Sequence, residues 1–174
     1  MPNSENSRKT PMAKHMALLT WLAVFAVFYL FFEQQILQRI NPNQSPTSIQ
    51  QNGVVEVQLK RNAAGHYVTN GRINQQQVVF LLDTGATNVS VPGHLAEQLG
   101  LAAGRPQMVS TANGNRTVYQ SRINTLNIGD ITLYNVAANI NPGMKSNQIL
   151  LGMSALKQLD FNQQDGWLYL TQTR

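Results

Sequence analysis

Cysteine is absent from this 174-residue chain. That excludes a disulfide framework, a thiolate nucleophile and any Cys-based metal site, and it leaves the redox compartment open. Charge is scarce as well: 12 % of the residues are Asp, Glu, Lys or Arg, and Asn and Gln supply much of the polarity. The balance is basic, with a formal net charge of +5 and a pI near 9.8. On its own that would suit an anionic partner such as nucleic acid or a membrane surface. No basic block exists, however: Arg39, Lys60, Arg61, Arg72, Arg105, Arg116, Arg122, Lys157 and Arg174 are scattered, with no aromatic platform among them. A nucleic-acid groove combines both features, so no nucleic-acid partner is expected, and the cations read as part of a solvated mixed surface. His15, His66 and His94 stand apart from one another and from acids at ligand spacing, so neither a metal nor a cofactor is expected. Ser90 and Ser110 lack the context of a nucleophile elbow. Long strand–helix alternation is missing too, which excludes a parallel α/β sheet.

One long hydrophobic run is present. Met16 to Phe32 reads MALLTWLAVFAVFYLFF, uncharged and bounded by Lys14 and Glu33. Its length is at the short end of what spans a bilayer as a helix. Arg8, Lys9 and Lys14 precede it, and such flanks stay on the cytoplasmic side. Residues 1–15 are therefore expected as a cytoplasmic tail and 16–33 as a transmembrane helix, with the remainder exported. A cleaved signal peptide is the rival reading. The apolar part is longer than a usual signal core, and no small-x-small site follows before Gln34-Gln35-Ile36, which favours an uncleaved anchor. Gln34 to Arg39 extends the helix a turn or two. Asn41-Pro42-Asn43-Gln44-Ser45-Pro46-Thr47-Ser48 then reads as a linker, with two prolines and nothing to bury. The whole of 34–53 is expected as linker and 54–174 as a folded domain.

From Val54 the pattern is that of short strands. Val54 to Leu59 suits a first strand and Gly65 to Thr69 a second. Asn70-Gly71 is a strong hairpin signal, yet Arg72-Ile73-Asn74 can continue the strand and move the turn to Asn74-Gln75-Gln76. Val78 to Leu82 is continuously apolar, which predicts burial on both faces. Val89-Ser90-Val91 is another short strand. Pro92 suits the first turn of a helix with Leu95, Ala96 and Leu99 on one face and Gly100 as its stop. Ser110 to Arg116 centres on Asn113-Gly114 between β-formers and predicts a hairpin. Strands follow over Ile123–Ile128, Ile131–Tyr134 and Val136–Ile140, the first two separated by Gly129-Asp130. Tyr119 and Tyr134 are expected as half-buried sheet residues. Ile149-Leu150-Leu151-Gly152 is a second apolar run into glycine, ahead of a short helix over Ser154–Leu159. Asp160-Phe161-Asn162, a turn over Gln163 to Gly166, and Trp167 to Leu170 close the chain as a hairpin. Many short strands with one or two short helices predict a closed all-β barrel preceded by the transmembrane helix.

The chemistry-bearing segment is Phe80-Leu81-Leu82-Asp83-Thr84-Gly85-Ala86-Thr87: an apolar strand that ends on one carboxylate, on a turn where glycine permits close approach. A strand ending in Asp at a Gly turn is often only a turn, the Asp bonding nearby N–H groups. Here the motif sits after an apolar strand and before Ala-Thr, with a short helix ending in Leu-Gly-Leu, a Gly-tipped hairpin and Ile-Leu-Leu-Gly following in order. Over roughly Val54 to Leu170 the chain resembles the retropepsin-like aspartic proteases, specifically their bacterial membrane-anchored, single-domain members. The resemblance implies a closed acid-protease barrel and an aspartic endopeptidase with Asp83 as its catalytic residue.

Two carboxylates about 3 Å apart share one proton, so one takes a proton from water while the other gives one to the scissile carbonyl. The motif occurs once, so the resemblance implies a homodimer that sets Asp83 against its own copy. Asp130, Asp165, Glu97, Glu56 and Asp160 fit poorly as a second acid within one chain. The resemblance further implies that Thr84 braces the dyad across the axis, that the Gly85 N–H reaches the carboxylates, and that Ala86 and Thr87 shape the pocket floor. Ala112, Asn113 and Gly114 would form the flap over an extended peptide, and Ile149, Leu150, Leu151 and Gly152 would support the active-site loop. Viral members dimerise through terminal strands, a part that Trp167 to Thr171 would take here. Its partners would thus be a second copy, a protein or peptide substrate, and the bacterial inner membrane with the domain in the periplasm. The alternative from another class is a catalytically weak peptide-binding or dimerisation module on the same fold.

Overall fold

The computed structural model describes residues 11–111 and 114–173. Two units separate, Met1–Leu37 and Gln38–Arg174. The first is built on helix α1 (Pro11–Ile40), whose stretch from His15 to Ile40 is long and apolar enough to cross a membrane. Leu18, Leu19, Val27 and Phe28, which fall on four different sides, all stand exposed, so no side of the helix is polar enough to prefer water.

The second unit is β-rich, as the strand pattern predicts. Strands β1 (Thr47–Gln51) and β2 (Val54–Lys60) form a hairpin. Then come β3 (Val68–Ile73), β4 (Gln76–Leu82), β5 (Val89–Pro92), β6 (Pro106–Thr111), β7 (Gly114–Ile128), β8 (Ile131–Asn141) and β9 (Gln148–Leu151). Helix α2 (Met153–Leu156) precedes the closing hairpin of β10 (Asp160–Gln164) and β11 (Trp167–Thr173). Six strands close into a ring in the order β3-β4-β9-β5-β8-β7, which returns to β3 through Arg72↔Asn127 and Ile73↔Leu126, while β6 hangs from β7. A four-stranded sheet, β1-β2-β11-β10, packs against this barrel.

Alternation fixes which residues go inside. Val55, Val57 and Leu59 of β2 and Leu168 and Leu170 of β11 share one core with Ile73, Phe80, Leu126, Val136, Ile149 and Leu151. Leu168 lies opposite Leu59 and Leu170 opposite Val57, so the apolar pairs match across the ladder. Each such side chain contributes about 1.5–3 kcal/mol by leaving water.

Several expectations are corrected. Of the two turn positions that the sequence left open, the later one forms: Asn70 and Gly71 lie within β3, and the turn is Asn74-Gln75 at φ 47° and 71°. Glycine is needed at 71 because a Cβ there would meet the Asn127 carbonyl and come 2.6 Å from the Phe80 ring. Of Val78 to Leu82, Phe80 alone is fully buried; the barrel wall has an outer face, and the neighbours are half-buried. The helix after Pro92 shrinks to a 3₁₀ turn over Gly93–Leu95, and Gly100 follows it at φ 65°. Ile131–Tyr134 and Val136–Ile140 are one strand, kinked where Asn135 takes φ 59°. Tyr134 is 66 % exposed, whereas Tyr119 packs against the core. The closing turn is only Asp165-Gly166.

The expected linker differs most. Asn41 and Asn43 are buried, and β1 belongs to the sheet. The Asn43 amide donates to the carbonyls of Lys60 (2.9 Å) and Val68 (2.7 Å), and its oxygen accepts from Lys60 N–H. Its backbone carbonyl takes the Asn70 N–H at 3.1 Å along the side of β3 that β7 pairs only from Arg72 on. Polar composition reads as linker, but a side-chain amide can fill donor and acceptor sites that an apolar residue cannot.

Candidate active site at the end of strand β4

β4 and β9 run parallel, pairing Phe80 with Ile149, Leu81 with Leu150 and Leu82 with Leu151. The ladder continues to the edge of the motif on both sides. Leu82 N–H donates to Tyr67 C=O at 3.0 Å, and Asp83 N–H donates to Leu151 C=O at 3.2 Å. Asp83 therefore leaves the barrel from a backbone held on two flanks, with its carboxylate half-buried.

A tight turn follows. Ala86 N–H donates to Asp83 C=O (3.2 Å), and Gly85 N–H donates to Asp83 Oδ1 (2.9 Å). This side-chain turn aims the carboxylate, which is the local habit of Asp before glycine. A Cβ at Gly85 would lie 3.1 Å from that same oxygen, so glycine keeps the N–H within reach without crowding it. Thr84, Gly85 and Thr87 are exposed, and Ala86 is half-buried. Among the described residues the Gly85 N–H makes the one hydrogen bond to the Asp83 carboxylate, and no second acid bonds to it.

The loop is propped from beneath. The first N–H groups of α2 lack a side-chain cap and use the loop instead: Met153 N–H donates to Ala86 C=O (2.8 Å), and Ser154 N–H to Thr87 C=O (2.9 Å). Gly152 lies between β9 and α2, where a Cβ would strike the Asn88 carbonyl and come 2.6 Å from the Ala86 carbonyl. Buried Ser154 completes the joint. Its hydroxyl accepts from Val89 N–H (3.0 Å) and donates to Ala137 C=O (2.7 Å), tying α2 to β5 and β8. Sequence reasoning passed over Ser154 as one more helix residue. The signal was its small hydroxyl directly after the Gly-Met that follows the apolar run.

The structure thus brings Asp83 to Thr87 together with Ile149 to Gly152. The expected flap is the β6–β7 hairpin, in which Thr111 pairs with Gly114 and its Oγ1 donates to Gly114 C=O at 2.7 Å. Ala112 and Asn113 lie outside the described residues. Nearly every residue of the hairpin's outer half is exposed, Met108 by 67 %. Its base is fastened by Gly104 N–H to Gln120 C=O and Gln120 N–H to Arg105 C=O. A cavity of about 680 Å³ lies elsewhere, against Gln44, Asn70, Arg72, Gln77 and Val78 at the start of β4, away from the carboxylate at its end.

The model of the gag-polyprotein putative aspartyl protease family matches residues 69–158, which run from the second residue of β3 through α2. The chain belongs to the retropepsin-like aspartic protease family. A Sinorhizobium protein described as an uncharacterized protein in the cobV 5′ region is 30 % identical over 135 residues, 76 % of this chain and 58 % of that protein. A Rickettsia prowazekii protein, uncharacterized protein RP867, is 28 % identical over 108 residues, 60 % of this chain and 46 % of that one. The chain thus spans about half the length of the curated relatives it matches. Among solved structures, a retropepsin-like aspartic protease from Rickettsia conorii aligns with 74 % of this chain and 95 % of its own, at a TM-score of 0.55 and 24 % identity. That likeness supports the closed barrel seen in this retropepsin-like chain.

Proposed function

We propose that this chain is a membrane-anchored aspartic endopeptidase whose active centre is a dyad of Asp83 and its copy in a homodimer. The observation that carries the reading is the placement of Asp83: its backbone is fixed by β3 and β9, its carboxylate is aimed by Gly85 N–H, and its side chain still reaches solvent. Rigid positioning of a reactive group before substrate arrives is what an acid–base catalyst needs.

In the proposed reaction the ionised carboxylate takes a proton from a water molecule, which attacks the scissile carbonyl carbon. The protonated carboxyl gives its proton to the carbonyl oxygen. The resulting gem-diol collapses as the C–N bond breaks, and the departing amine takes up a proton from the dyad. Neither acid performs both steps alone, which is why the second copy is part of the site. Thr84 and Gly85 brace the dyad, Ala86 and Thr87 form the floor, and the hairpin tip of Ala112, Asn113 and Gly114 closes over an extended peptide. Ile149 to Gly152 hold the loop. The helix within His15–Ile40 anchors the protein once in the bacterial inner membrane, with the Arg8, Lys9 and Lys14 side cytoplasmic and the barrel periplasmic.

The test is cleavage of an unstructured peptide library by the full chain in detergent micelles, beside Asp83→Asn. Cleavage that the substitution abolishes supports the proposal. Equal cleavage by both proteins, or none by the wild type at concentrations where a dimer sediments, overturns it in favour of a peptide-binding module.

A further inference from the structure

The chain enters its β-rich unit at one end of the four-stranded sheet. Ala63 N–H donates to Arg39 C=O at 3.4 Å, and Asn62 Nδ2 donates to Ile40 C=O at 2.9 Å. Asn43 then bonds both backbone groups of Lys60, the last residue of β2. Lys60 therefore marks the end of the sheet fastened next to the chain's entry. The run Met16–Phe32 covers about 25 Å of a hydrocarbon core of about 30 Å. Eight residues, Glu33 to Ile40, follow it, and as a helix they rise about 12 Å. Part of that rise completes the core, and each headgroup layer beyond is about 5–8 Å thick. With the run in the bilayer, the fastened entry stands at the outer margin of the headgroups.

The side chains at this end are of one kind. β11 has both ladders filled, by β2 and by β10, so its backbone cannot pair with a second copy as the resemblance implied. Its side chains are what it offers. Trp167 pairs with Lys60 on one flank and Gln164 on the other, so the three share a face. Leu168 and Leu59, one residue along each strand, point into the core, which makes that face the outer one. Tyr169 follows on the same face, half-buried. Trp167 is 37 % exposed, and Lys60, Arg61 and Arg39 are exposed too. Neither these three cations nor the Trp167 indole N–H has a hydrogen-bond or ion-pair partner among the described residues. Asp165 in the closing turn is one acid beside three cations. The other acids of this face, Glu56 and Asp160, flank Thr171 in a single row. That row lies four residues along the strands from Lys60 and Trp167, about 13 Å away. The face is thus basic and aromatic where the chain enters and acidic at its far end.

We propose that this end of the sheet is a docking surface for anionic phospholipid headgroups, formed by Lys60, Arg61, Trp167 and Tyr169 with Arg39 at the entry. It holds the barrel against the bilayer, where a free tether would let it swing. The proposal rests on the reading of Met16–Phe32 as a membrane anchor. Trp and Tyr favour the headgroup layer, where the ring is half-shielded and its polar edge finds oxygen acceptors. Lys and Arg close to the bilayer are drawn to anionic lipid. Glu56 and Asp160 do not oppose this, because about 13 Å exceeds both the headgroup layer and a Debye length of about 8 Å at physiological ionic strength. The contacts need not be strong. With the anchor inserted, docking is an intramolecular step at high effective concentration.

The chain has two tryptophans, so Trp21→Phe leaves Trp167 as the sole emitter. The experiment reconstitutes this full-length variant into vesicles of phosphatidylglycerol and phosphatidylcholine in which some headgroups carry a nitroxide, and reads tryptophan quenching. The reference is Ile49→Trp on a Trp21→Phe/Trp167→Phe background, an exposed position in the acidic row of the same face. Trp167 should be quenched at least about threefold more than the reference, as its place in the headgroup layer requires. Lys60→Gln with Arg61→Gln keeps the backbone bonds of both residues. That pair of substitutions should lower the ratio of docked to free domain about tenfold or more, and so should vesicles of phosphatidylcholine alone. Equal quenching at both positions, in protein that floats with the vesicles, overturns the dock and leaves the anchor standing. Quenching of Trp167 that ignores both lipid charge and the two substitutions overturns anionic lipid as the partner. Protein that alkaline carbonate washes from the vesicles overturns the anchor, and the dock with it.

Discussion

Phe80-Leu81-Leu82-Asp83 and Ile149-Leu150-Leu151-Gly152 are neighbouring parallel strands with nearly the same apolar text and opposite endings. The first ends on a carboxylate that reaches solvent, followed by a turn whose threonines are exposed. The second ends on a glycine wedged beneath that turn, where no side chain fits. One strand carries the group available for chemistry, and the other carries the support that fixes it. Reactivity and stability are thus assigned to different strands, joined by the hydrogen bonds of Asp83, Met153 and Ser154. The two endings should therefore fail differently when altered.

The largest effect expected is on activity alone. Asp83→Asn keeps the shape and the Gly85 contact but removes the acid, so peptidase turnover should fall by about 10²–10⁴-fold or more. Its denaturation midpoint should stay within about 0.5 kcal/mol of wild type, since the side chain is half-exposed. Gly152→Ala should do the reverse. Its Cβ would meet two backbone carbonyls, which cannot swing aside as a side chain can. The cost is about 1–3 kcal/mol of overpacking or more, read as a lower urea midpoint, with activity lost only as the fold is lost. If Gly152→Ala were as stable as wild type, the division between the two strands would be wrong.

This division was half legible in the sequence. Apolar alternation, the Asp-Thr-Gly turn and the second run into glycine are local features, and local chemistry dictates them. That Gly152 must be glycine depends on Asn88 and Ala86, some 65 residues away along the chain. Asn43 was illegible for the same reason. Between two prolines it has the composition of a linker, and only the folded barrel supplies the Lys60, Val68 and Asn70 backbone groups that make it a latch. Asn70-Gly71 left two turn positions open in the sequence, and what decides for the later one is a neighbouring strand that needs a residue without Cβ at 71. Edge strands were the least legible, because whether β10 or β11 is enclosed depends on β2, a hundred residues earlier in the chain.

Ser154→Ala tests the joint between the two strands. It leaves Val89 N–H without its acceptor and Ala137 C=O without its donor in a buried place, a loss of about 1–3 kcal/mol. Because the Ser154 N–H bond to Thr87 survives the substitution, turnover per folded molecule should fall much less than stability does. Measuring kcat beside the urea midpoint separates the two, and a kcat loss as deep as that of Asp83→Asn would move Ser154 from support to chemistry.

The smallest stability effect belongs to Thr87→Ala. Its side chain is exposed, and the loop uses its backbone carbonyl, which alanine retains. Stability should therefore move by no more than about 0.5 kcal/mol, as for surface positions without special contacts. That near-silence makes the variant informative. Any change in kcat/KM for peptide cleavage then reports a contact that the isolated chain does not make, to substrate or to the second copy. A shift in KM with kcat unchanged assigns the hydroxyl to uniform substrate binding, and an equal fall in kcat and kcat/KM assigns it to the reacting centre. Unchanged kinetics would leave Thr87 as backbone support alone and narrow the reactive ending of β4 to Asp83, Thr84 and Gly85.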